Sequence, residues 1–175
     1  MTLQNTLVVA LCTGLFAIPA LADPAADAPL FAIYDQVNQA DIEIAQLGAI
    51  KGHSEDVRRI ATTILRDHAA VQQMARDIAA DHGVSYDGII NDSLATSHAA
   101  VLEALSVLEG PAFDAAYLQH EVPFHRNASL AVRDKLVPSV QTVEFKKHLQ
   151  TVLPHFQHHL DLTIEAAKKL GVTVK

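Results

Sequence analysis

Apolar side chains return every three or four positions over most of this chain, the spacing of one helix face. Leu30, Ile33, Val37, Ala40, Ile44 and Leu47 make the first such row, opened by Asp27 and Pro29 and closed by Gly52. A second row runs Val57, Ala61, Ile64, His68, Val71, Ala75, Ile78, His82, and Gly83 stops it. Ser54 is suited to cap its start, and Glu55 and Asp56 complement the helix dipole there. Leu94, Val101, Leu105 and Leu108 predict a shorter helix that ends at Gly110-Pro111. A third long helix is expected from Ala112 to about Leu136. The fourth is expected from Pro138-Ser139, carrying Phe145, Leu149, Val152, Phe156, His159, Thr163 and Ala167 and stopping near Gly171.

Short linkers at 52–53 and 137–138 predict two helical hairpins, and residues 84–111 are long enough to cross between them. The expected fold is all-α. It is a ferritin-like four-helix bundle over residues 29–171, two long hairpins joined by a crossover that holds a short extra helix.

Ahead of the bundle, Leu7 to Leu21 is almost wholly apolar and Ala20-Leu21-Ala22 offers an A-x-A cleavage site. That pattern predicts a secretory signal peptide over residues 1–22, with residues 23–28 as a flexible leader. The apolar run falls short of the ~20 residues of a spanning helix, and no second apolar span follows. Cys12, the single cysteine, leaves with the signal, so the mature chain has neither disulfide nor thiolate chemistry. A formal net charge of −7 argues against a nucleic-acid partner, whose phosphates demand Lys and Arg. The expected compartment is the periplasm or the cell exterior.

Ten histidines against two methionines carry what chemistry there is. His68 lies between Ile64 and Val71, His125 on the row Leu118, Val122, Ser129, Val132, and His159 between Phe156 and Thr163. Glu43 lies at the border of the first row. Three imidazoles and a carboxylate from four helices, each near mid-helix, suit Zn, Cu, Ni or Fe. Glu121 and His155 are reserve ligands, each one turn from His125 or His159, and Asp67 is a surface or outer-layer charge. Pro123 and Pro154 are either plain kinks or kinks that aim the neighbouring histidines inward.

Three roles follow from these residues: a metal buffer or stress-response protein of the cell envelope, a structural or interaction protein with packing histidines, and a di-metal oxidase. The packing role needs each imidazole satisfied by backbone or hydroxyl. The oxidase is disfavoured, because it needs Glu-x-x-His on two helices and no Asp or Glu here has a histidine three residues on. No Ser or Cys stands in a hydrolase-like nucleophile turn, which further disfavours an enzyme.

Asp67-His68, FDAAYLQHEVPFH at 113–125 and LPHFQHHL at 153–160 resemble the bacterial domain-of-unknown-function family 4142. The resemblance spans roughly residues 30–171. It implies export, a ferritin-like fold and the outer-membrane association under which such proteins are often labelled. It also implies that the family's recurring histidines fall on His68, His125 and His159, and its helix-one acidic position on Glu43. Phe124 departs from the acidic residue that many members carry before His125. No reaction comes with the resemblance.

Mass spectrometry of protein recovered from the cell envelope is expected to place the N-terminus at or near Asp23. An uncleaved Met1 in the membrane fraction would refute the cleavage.

Overall fold

The computed structural model describes residues 23–174; the expected signal peptide lies outside the described residues. The elements are a 3-10 turn (Pro24–Asp27), α1 (Ala28–Lys51), α2 (Glu55–Asp81), α3 (Asp92–Ser106), α4 (Gly110–Ala131), a π-helical segment (Val132–Leu136), α5 (Val137–Ser139) and α6 (Val143–Lys169), with no strand among the described residues. None of these helices is long and apolar enough to cross a membrane.

α1 packs on α2, α4 on α6, and the hairpins meet through α2 on α6 and α1 on α4. Asp114 near the start of α4 bonds the turn between α1 and α2, and Asp27 before α1 bonds the turn that leads into α6. Those contacts fix the directions: α1 and α6 run one way, α2 and α4 the other. Residues 82–109, with α3, climb the full height between the hairpins, as the crossover predicts.

Local signals set most boundaries. Ser54 accepts from the amide of Val57 to cap α2, and Asn91 accepts from Leu94 to cap α3. Gly83 ends α2 at φ +65°, the left-handed geometry that favours glycine.

Two boundaries differ from the sequence reading. α6 starts at Val143, not at Pro138, because Val140 is extended and the true turn spans 140–142. The cause is distant. The buried Asp27 carboxylate takes the amide of Gln141 at 3.0 Å and of Thr142 at 2.7 Å, satisfying amides no local side chain reaches. The same contact anchors the residues expected as a flexible leader: Pro24–Asp27 forms the 3-10 turn that presents Asp27. At the other end Asp114, also buried, takes the amides of His53 and Ser54, each at 2.7 Å.

The apolar core comes in two pieces. One, toward the α1–α2 turn, gathers Ile44, Val57, Ile64, Phe113, Tyr117 and Leu118. The other, toward the α6 start, gathers Phe31, Tyr34, Val132, Phe145, Leu149 and Phe156. A buried polar layer from α1, α2, α4 and α6 separates them. Pro123 and Pro154 stand inside α4 and α6 near that layer; His125 faces in, whereas His155 stays exposed. Pro154 therefore does not turn its neighbour inward.

Gly48 lets α1 approach its neighbours closely. A Cβ there would stand 2.5 Å from the Tyr117 ring and 2.9 Å from Ala61 Cβ. Gly48→Ala should thus destabilise the bundle by about 1–3 kcal/mol despite alanine's better helix propensity. Chemical denaturation measures this, and an unchanged or raised midpoint would contradict the close packing.

Candidate metal centre

Each of the four long helices sends side chains into the middle layer. α1 gives Asn38 and Asp41, α2 gives His68, α4 gives Glu121 and His125, and α6 gives His159, all buried. Asp41, Glu121 and His125 have no measurable exposure. The three imidazole rings stand 5.3–5.6 Å apart, centroid to centroid. One nitrogen from each of His68, His125 and His159 falls within 4.8 Å of the others. Asp41, Glu121 and His125 form a second such group, sharing His125.

The outward nitrogen of every imidazole has a partner. His68 Nδ1 lies 3.0 Å from Asn38 Oδ1, His125 Nδ1 lies 3.1 Å from the Glu121 carbonyl, and His159 Nε2 lies 3.1 Å from Asp67 Oδ2. Asn38 is itself oriented by donating to the Tyr34 carbonyl at 2.7 Å. If those nitrogens donate to the oxygens they face, the tautomer is set and a lone pair is left pointing inward on each ring. Inside, His68 Nε2, His125 Nε2, His159 Nδ1 and both oxygens of Asp41 are buried without a hydrogen bond, and so are the oxygens of Glu121, one of which stands 3.2 Å from the outward His125 Nδ1. His68 Nε2 and Asp41 Oδ2 are only 3.0 Å apart, and His125 Nε2 is 3.5 Å from the same oxygen. They crowd a common point at angles that make no hydrogen bond.

Inward lone pairs and carboxylates repel unless a cation sits among them, either protons or a metal. Without a metal the cluster draws protons. Burial and then the Asp41 carboxylate push Glu121 up to about 8. Burial works against a charged His125, but Asp41 and Glu121 outweigh it and raise that imidazole to about 9. Burial likewise opposes ionisation of Asp41, yet His68 and His125 hold it down at about 2. At the rim, burial lowers His159 to about 4, with Asp67 only partly opposing.

The expected site residues divide. His68, His125, His159 and Glu121 are brought together. Glu43 is not: its carboxylate faces away, 2.7 Å from His98 Nε2 and 2.9 Å from Gln39 Nε2. Asp41, two residues earlier, is the helix-one carboxylate in the layer. His155 is exposed, beside Asp67, Met74 and His148 in a groove between α2 and α6. Asp41 and Asn38 were missed because α1 carries apolar residues on most sides, so a row chosen by hydrophobicity passes over the polar one that faces inward. The signal was present: Tyr34, Asn38, Asp41, Ala45 and Gly48 also recur at three and four, and all are buried.

Metal-free protein should lose stability as pH rises from about 6.5 to 9. Over that span folded Glu121, raised to about 8, and folded His125, raised to about 9, keep protons that the unfolded chain releases. Below 6.5 the sign reverses for His159, lowered to about 4, which stays neutral when folded while the unfolded imidazole gains a proton. A thermal melt series should show the alkaline decline, several degrees in midpoint, and Glu121→Gln should flatten its lower part. A midpoint flat to pH 9 would show that the layer holds no such protons.

A family model described as Domain of unknown function (DUF4142) matches residues 17–166. Among solved structures the chain is similar to a DUF305 protein from Streptomyces coelicolor, described as secreted, at TM-score 0.72 and 17% identity, over 87% of this chain and 98% of that one. At that identity the likeness is one of fold. No curated protein matches the chain.

Proposed function

The chain belongs to the DUF4142 family, and for this member we propose that the buried layer binds one divalent transition-metal ion, making it an exported metal-binding protein of the cell envelope. His68, His125 and His159 supply neutral imidazole nitrogens and Asp41 a carboxylate, with Glu121 completing the shell. The observation that carries this is the orientation of the rings. Three histidines on three helices each spend one nitrogen on an outer acceptor and leave the other buried without a hydrogen bond and close to its two counterparts, those of His68 and His125 also standing 3.0 and 3.5 Å from Asp41 Oδ2. Two carboxylates among neutral imidazoles also balance a divalent charge, which offsets the cost of burying the ion.

Nitrogen and oxygen donors without sulfur suit Zn, Cu(II), Ni or Fe. Export is supported by the apolar leader with its A-x-A site, and the role we assign is metal buffering or a metal-linked stress response outside the cytoplasm. An oxidase of the paired-iron kind finds less support, since two ions need more bridging carboxylates than Asp41 and Glu121 provide.

Isothermal titration of metal-free protein with Zn²⁺ and Cu²⁺, checked by elemental analysis, tests the reading. One ion per chain is expected. His68→Ala or His159→Ala should abolish tight binding, and Asn38→Ala or Asp67→Ala, which only release a ring, should weaken it by about 10–100-fold. Glu43→Gln, His155→Ala and His158→Ala, the last at an exposed position on α6, should keep wild-type affinity. If the inner histidine variants bind like wild type, or the outer ones lose affinity instead, the layer is packing held together by protons.

A further inference from the structure

Ligands with almost no solvent exposure raise the question of how an ion reaches them. A half-open pocket of about 110 Å³ lies between α1, α3 and α4, next to the layer at Ala40 and His120, and another of about 80 Å³ reaches Asn38 and His68 directly but is lined otherwise by apolar side chains and Tyr34. The walls of the first are apolar (Ala40, Ile44, Leu94, Val101, Phe124) except for Ser97, His98 and His120. His98 Nδ1 and His120 Nε2 are buried there without a hydrogen bond. An unpaired buried nitrogen costs roughly 1–3 kcal/mol, so two at one cavity ask for a reason.

Their order in space suggests one. The Glu43 carboxylate, partly open to solvent, holds His98 through Nε2 at 2.7 Å, which leaves Nδ1 free. His120 is near enough to feel the charges of His98, His125 and Asp41. A carboxylate at the surface, an imidazole with a free nitrogen, a second such imidazole and then Asp41 make a graded series of ligands running inward. α3, which covers one side of the cavity, fully buries only Leu105 of its fifteen residues, with Leu94, Val101 and Leu102 half-buried, so it is held less firmly than the four long helices. The groove between α2 and α6 offers less: Asp67 is engaged with His159, and His148 Nε2 with the Tyr34 hydroxyl at 3.1 Å.

We propose that the cavity between α1, α3 and α4 is the route by which a divalent metal ion reaches the buried cluster, with Glu43 at its mouth and His98 and His120 as successive ligands on the way. This rests on the metal reading of the layer and adds to it a function for Glu43, His98 and His120.

Stopped-flow mixing of metal-free full-length protein with Zn²⁺, read by competition with a chromophoric chelator, tests the route once wild-type binding has been measured. His98→Ala removes a step, and Ser97→Phe, from an exposed position on α3, plugs the cavity without touching a ligand. Both should slow association by about tenfold and dissociation by the same factor, leaving Kd unchanged. His155→Ala, in the other groove, should bind at the wild-type rate. Association within about twofold of wild type in both route variants overturns the proposal. So does slowing by His155→Ala alone. A loss of affinity in His98→Ala with association unchanged would make His98 a ligand instead of a step, and that also overturns it. Failure of wild type to bind Zn²⁺ removes the metal reading itself, and is seen separately.

Discussion

A charged carboxylate sealed inside the bundle, Asp41, is the constraint from which the rest of the arrangement follows. An ion of that size taken out of water costs several kcal/mol even after the surroundings relax, so it must be answered by positive charge nearby. Imidazoles from two other helices, His68 and His125, stand against it, and Glu121 is held toward its neutral form by burial and then by the Asp41 charge. Protons and a divalent ion are alternative answers to one electrostatic demand. In the proposed metal-bound form their competition would tie metal affinity, stability and proton uptake together.

That layer also explains the divided core. Phe156 stacks on His68 at 5.1 Å below it, and Tyr117 lies with the upper apolar cluster. The apolar residues on either side keep water from the imidazoles and fix ring positions by packing. A metal site carried on rigid helices gains from this, because ligand geometry does not depend on loops.

The helices were legible in the sequence because their signals are local: rows at three and four, Ser54, Gly83, Gly52. Hairpins and crossover followed from linker lengths. Of the site, His68, His125 and His159 stood out as polar residues set in apolar rows. Asp41 did not, since α1 is apolar around most of its circumference and hides which face is inner. Glu43 looked like the better carboxylate only because it borders the more hydrophobic row. The start of α6 was misplaced for a different reason: Asp27, which sets it, lies 115 residues away from Thr142. No window along the chain contains both.

Asp27 and Asp114 are placed reciprocally. The first precedes α1 yet satisfies the turn of the α4–α6 hairpin; the second belongs to α4 yet satisfies the turn of the α1–α2 hairpin. Each hairpin thus lacks part of its own turn until the other docks, and each brings only some of the groups in the middle layer. Neither hairpin has all of its turn contacts within itself, and the closures between the two carry the larger loop entropy. A ligand held by all four helices then engages only the completed bundle. The effect of the proposed ion would fall on the rate of leaving the native state, making it a kinetic latch while the path into the fold runs at its own pace.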